Sequence, residues 1–144
     1  MSNWSDGPEA ILAPTTLATF LATHWDGTPL VIQDRGNEIY EGLLSIEDLD
    51  ALIHQSGPTF PAFRLVKDGS QVPQQAYTVP NIPWGTGQVS GFIEREHVRR
   101  LMTDGCTFVM ESCQRLHPAI GHLSRSFEQV FHCPSPVNLY VTPP

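Results

Sequence analysis

Positive charge is scarce in this sequence: eight Lys plus Arg stand against fifteen Asp plus Glu, giving a formal charge of -7, and no basic cluster exceeds the pair Arg99-Arg100. A surface of that sign repels phosphate backbones and anionic lipid headgroups, so neither nucleic acid nor membrane is an expected primary partner. Long apolar runs are missing as well, and none approaches the ~20 residues that span a bilayer. The opening stretch "MSNWSDGPEAILAP" has no basic residue ahead of its short apolar patch, which is not the charge layout of a secretory signal. The expected setting is the cytoplasm. Cysteine is sparse and odd in number, and Cys106, Cys113 and Cys133 in a chain of 144 residues fit reduced thiols better than a disulfide framework.

The short signatures of common chemistries are also lacking. There is no Cys-x-x-Cys pair, no His-Glu-x-x-His run, no Gly-x-Ser-x-Gly turn and no glycine-rich phosphate loop. A zinc site would have to be assembled from Cys106, Cys113, His117 and Cys133, and buried structural thiols are the preferred reading of those cysteines because they sit in or beside apolar segments. Cys113 as a nucleophile would have only Arg115 and His117 near it in sequence, a thin setting for lowering a thiol pKa. Glu47, Asp48 and Asp50 cluster at the start of a predicted helix, where carboxylates complement the helix dipole.

What is present is enough apolar material for a core, 40% of residues with only 16% charged, interrupted by eleven Gly and thirteen Pro. "PTTLATFLATHW" predicts a helix capped by Thr15 or Thr16, and a short strand "LVIQ" follows at residues 30–33. In "LSIEDLDALI", Ser45 and Asp48 form a capping box, with Ile46, Leu49, Leu52 and Ile53 as one apolar stripe. "AFRLVKDG" alternates Phe63 and Leu65 against Arg64 and Val66 and ends in a turn. The Pro- and Gly-rich stretch 70–91 is expected to be a long irregular loop. A helix over 93–102, a buried strand "CTFVM" and a helix opening at Pro118 complete the middle, the last with the stripe Ile120, Leu123, Phe127, Val130 and Phe131. The final "VNLYVT" places Asn138, Tyr140 and Thr142 on one face and Val137, Leu139 and Val141 on the other. That polar row either faces solvent, which spacing alone favours, or lines a polar cavity that could hold a small anionic ligand. The irregular mixture of helices and strands predicts an α+β fold.

Taken in order, "FLATHWDGTPLVIQDRG", "LLSIEDLDALI", "FRLVKDG", "LMTDGCTFVMESCQRLHPAIGHLSRSFEQVF" and "PVNLYVTPP" resemble the N-terminal half of the bacterial cupin-like JmjC proteins, relatives of the ribosomal oxygenases, over residues 16–144. The resemblance implies an iron(II)- and 2-oxoglutarate-dependent oxygenase that hydroxylates a protein or peptide side chain inside a double-stranded β-helix. It also implies a layout: residues 1–14 as an N-terminal extension, 15–133 as a helix-rich portion and 134–144 as the start of the barrel. Asn138, Tyr140 and Thr142 become co-substrate contacts of a completed barrel. The family's His-x-Asp metal motif follows the segment matching "VNLYVTPP", and the formal match His24-Trp25-Asp26 lies elsewhere, at the end of the first helix. The expectation is therefore a chain that does not hydroxylate alone and has no cofactor of its own, an N-terminal fragment whose remaining barrel half is supplied in cis or in trans. A non-catalytic assembly module pairing with a separate chain and a metal-independent scaffold remnant are the alternatives. A strand left without its barrel neighbours is further expected to expose its edge and its aliphatic face.

Overall fold

A computed structural model of the chain describes residues 7–34, 36–55 and 57–143. Helices α1 (Pro8–Leu12), α2 (Leu17–Thr23), α3 (Ile46–Gln55), α4 (Arg95–Thr103) and α5 (Pro118–Phe131) accompany a sheet of four antiparallel strands. Its order is β2 (Ser70–Gln71), β1 (Phe63–Lys67), β5 (Thr107–Met110) and β6 (Leu139–Val141). A separate hairpin pairs β3 (Ile82–Trp84) with β4 (Gly87–Val89). Helix and antiparallel sheet together are the α+β mixture expected from the sequence.

Strand alternation decides which residues make the core. Register places Phe63 opposite Met110 and Leu65 opposite Phe108, then Met110 opposite Leu139 and Phe108 opposite Val141. All of these share one face, and Phe63, Leu65, Phe108 and Met110 are buried. Onto that face pack Leu49 and Leu52 of α3, Val98 of α4 and Ile120 of α5, with Val137, Leu139 and Val141 partly buried against the same cluster. The aliphatic face of the last strand is thus covered by the molecule's own core, contrary to the exposure expected of a strand lacking barrel neighbours. Its outer edge, at the end of the strand order, has no partner among the described residues.

Local chemistry explains the element ends. Thr16 Oγ1 accepts from Thr19 N at 3.1 Å and starts α2. Ser45 and Asp48 form the reciprocal capping box, Ser45 N donating to Asp48 Oδ2 at 2.9 Å and Asp48 N donating to Ser45 Oγ at 3.0 Å. Pro118 sits in the first turn of α5, where no amide is missed. The two-residue loop Asp68-Gly69, with both residues at positive φ (49° and 75°), closes the β1–β2 hairpin.

Three expectations fail. Residues 30–33 form no strand, and Val31 is 73% exposed: an apolar tetrapeptide needs a pairing edge, and none is formed there. Ile46 is 74% exposed, because the first residue of α3 lies beyond the rim of the core that Leu49 and Leu52 enter. The stretch 70–91 holds β2, the β3–β4 hairpin and a 3-10 turn at Gln74–Ala76. It also delivers Tyr77 into the core fully buried, held by the bonds Glu94 N to Tyr77 O (2.7 Å) and Val79 N to Phe92 O (2.8 Å). Within the first fourteen residues, helix α1 packs on α5. Gly7, at φ +54°, comes so close to Ser126 that a Cβ would lie 2.7 Å from it. Beside it Trp25 stacks on Phe131 with ring centroids 4.4 Å apart, and Phe20 meets both rings edge-on.

Two outcomes follow. Phe108→Ala empties the middle of the core and is expected to cost about 3–5 kcal/mol in urea denaturation, whereas Val31→Ala should change stability by less than about 0.5 kcal/mol. The Ser45 amide and hydroxyl, followed by the nearby His117, hold the Asp48 carboxyl below its ordinary value of 3.8. A depressed carboxyl stabilises above its unfolded-state pKa and loses that contribution as pH falls through the folded one. The urea midpoint of the wild type should therefore exceed that of Asp48→Asn at pH 6, with the gap closing below about pH 4.

Candidate functional site

The outer face of the sheet follows from the same alternation. Arg64 is opposite Val109, which is opposite Tyr140, so these three form one row across β1, β5 and β6. The next row is Val66, Thr107 and Thr142, in which Thr107 Oγ1 and Thr142 Oγ1 are 3.0 Å apart. Arg64 Nη1 donates to Glu111 Oε1 on this face. Val109 at the centre is only 2% exposed although it is turned away from the main core, while Tyr140 at the edge is 61% exposed. The result is a dry aliphatic spot framed by a guanidinium–carboxylate pair, a phenol and two hydroxyls. Such a surface can hydrogen-bond a small polar ligand laid across it, and a guanidinium can pair with a carboxylate.

Asn138, Tyr140 and Thr142 do lie on one face, as the spacing predicts, and all three are exposed. They are not equivalent. Asn138 Oδ1 accepts from Ser112 N at 3.2 Å, and Thr142 is engaged with Thr107, while Tyr140 projects outward from the free edge. Arg64 and Glu111 are the members of this face that the final strand's own pattern cannot reveal. The only signal for Arg64 in the sequence is its alternation with Phe63 and Leu65.

Other candidate groups are dispersed. Among the described residues no three of His, Cys, Asp and Glu gather closely enough to hold a metal ion. His24 directs Nδ1 at Thr28 O, 2.8 Å away, and stacks on Phe20, so the triplet with Asp26 serves the end of α2. Cys106 and Cys113 are buried, and Cys133 is exposed. Cys113 Sγ donates to Val137 O at 3.2 Å, and burial pushes its thiol pKa up, the opposite of what a nucleophile needs. His117 uses Nδ1 as an acceptor for Ile120 N and turns Nε2 toward Asp48 Oδ1 at 3.7 Å, tying the start of α5 to the start of α3. The donor set of the described residues therefore does not fit a facial two-His, one-carboxylate iron site. No helix among them is long and apolar enough to cross a membrane.

No protein-family model matches the chain. It is 22% identical over 134 residues to the bifunctional lysine-specific demethylase and histidyl-hydroxylase NO66 of Aedes aegypti, covering 93% of this chain and 20% of that protein. To ribosomal oxygenase 1 of Gallus gallus it is 22% identical over 139 residues, 93% of this chain and 21% of the relative. A second NO66, from Culex quinquefasciatus, is 23% identical over 142 residues, 99% of this chain and 20% of that protein. The chain thus spans about a fifth of the length of the curated relatives it matches. The likeness to these oxygenases and demethylases extends over most of the chain, in line with the motifs.

Opposite faces of β6 should respond differently to truncation. Leu139→Ala is expected to lower the unfolding free energy by about 2 kcal/mol, and Tyr140→Ala by less than about 1 kcal/mol, both read from urea titrations.

Proposed function

We propose that these residues form the helical support and the first barrel strand of an iron(II)- and 2-oxoglutarate-dependent oxygenase that modifies a protein or peptide side chain. The outer face of the sheet is then the floor on which the co-substrate rests once further strands cover it. Tyr140 and Thr142 present their hydroxyls to that floor, and Asn138 stands at the head of their row. The observation that carries this reading is the segregation along residues 137–142: the aliphatic residues pack against the core, while the polar row faces outward with Tyr140 61% exposed. The kinship with oxygenases supplies the chemistry. The iron ligands do not come from the described residues and enter with the additional strands, in the same polypeptide or from another one.

A second reading, a binding module without catalysis, is favoured by one feature, the outer edge of β6 at the end of the sheet, which has no strand partner among the described residues. Succinate release from 2-oxoglutarate with iron(II) tests both. The chain alone should release none, and stoichiometric iron binding with turnover by the chain alone would overturn the reading. When a polypeptide carrying the remaining barrel strands is supplied, the oxygenase reading requires iron-dependent succinate release. The module reading requires a stable complex that releases none.

A further inference from the structure

We infer that Gln114, Asn138 and Gly121 are positioning residues: together they clasp the start of β6 and so set where Tyr140 and Thr142 stand. The importance of that row rests on the oxygenase reading, whereas the clasp itself rests on geometry alone.

Strand β6 is three residues long and lies at a sheet edge, too little to secure its own register. A slip by one residue would turn Tyr140 into the core and Leu139 and Val141 into water. The corner after β5 prevents it. Glu111 N donates to Ala62 O at 2.8 Å, the last bond between the β1 and β5 segments. Ser112 then takes a left-handed conformation, φ 55° and ψ 37°, which reverses the chain into the 3-10 turn Cys113–Arg115. That turn seizes Val137 from both sides: Cys113 N donates to Val137 O at 2.9 Å, and Val137 N donates to Gln114 Oε1 at 3.0 Å. Asn138 closes the ring from β6 by accepting the Ser112 amide on Oδ1. Val137 thereby has both its backbone polar groups engaged by the turn, and the strand after it can run only in the observed register.

Gly121 sets where the turn itself sits. A Cβ on this residue of α5 would lie 2.7 Å from Gln114 O, a clash with backbone that no side-chain rotation relieves. Only glycine lets the helix approach the turn this closely, so the placement of α5 is transmitted through Gln114 to Val137 and on to the Tyr140 row. Gln114 acts on that row through its bond to the Val137 amide.

Amide hydrogen exchange of the full chain, read by NMR, tests the clasp. Gln114→Met removes the acceptor while keeping the bulk, and those amides of Leu139–Val141 that bond to β5 should then exchange about tenfold faster relative to the ladder-bonded amides of Phe63–Lys67. Gln114→Glu keeps an acceptor and should return the ratio to within about twofold of the wild type. Gly121→Ala should reproduce the methionine variant. Asn138→Ala, at an exposed position, should give the same selective loss without endangering folding. An unchanged ratio in Gln114→Met and Asn138→Ala, equal acceleration in β1 and β6, or no rescue by glutamate would each overturn the clasp. Because exchange is measured without iron or 2-oxoglutarate, failure of the oxygenase reading leaves this outcome intact, and failure of the clasp leaves that reading intact.

Discussion

A strand of four residues cannot satisfy its own backbone, and β5 satisfies its groups by pairing on both sides, with β1 along one edge and β6 along the other. That double pairing makes Thr107–Met110 the axis of the molecule. Phe108 and Met110 lead the apolar face that α3, α4 and α5 cover, and Val109 anchors the opposite face. The flanking strands contribute little by themselves, since β2 has two residues and β6 has three. Their order is borrowed from β5, and so is the juxtaposition of Arg64 with Tyr140 two strands away, roughly 10 Å by ordinary strand spacing. Any group that changes the seating of β5 moves both sides of the outer face at once.

Features governed by near neighbours in sequence are the ones that could be read in advance. The caps at Thr16 and at Ser45 with Asp48, the entry of α5 at Pro118, the inward Phe63 and Leu65 and the split faces of the final strand all depend on intervals of two to four residues. Features decided by distant pairing were not legible. "LVIQ" has the composition of a strand, yet composition does not supply the edge that a strand needs. In the stretch 70–91, proline and glycine density signals irregularity, but Gly85 at φ 58° closes a hairpin there. Tyr77 is carried inward because the backbone beside it pairs with residues 92–94. The site divides in the same way: the row Asn138, Tyr140 and Thr142 is periodic and visible, whereas Arg64 and Glu111 join it only through pairing across separations of tens of residues.

The two physical readings of that row turn out not to compete. Spacing alone favours water as the neighbour of Asn138, Tyr140 and Thr142, and they are exposed. The proposed oxygenase reading would place a ligand there, and a polar face meets either without penalty, since hydroxyls and a paired guanidinium hydrogen-bond to solvent or to a bound carboxylate with comparable satisfaction. An aliphatic face has no such tolerance, because exposing it costs roughly 25 cal/mol per Å2. The molecule is built accordingly: Val137, Leu139 and Val141 are partly buried against the core already present, and the side that tolerates water is the more open one. Val109 marks the exception, an apolar side chain at the centre of this face that is only 2% exposed. A co-substrate lying over it would displace water from the polar rim while meeting an aliphatic surface already shielded. On the proposed oxygenase reading, the preorganisation of that floor would reside in β5, and the specificity of what lies on it in the groups that β1 and β6 bring to its two sides.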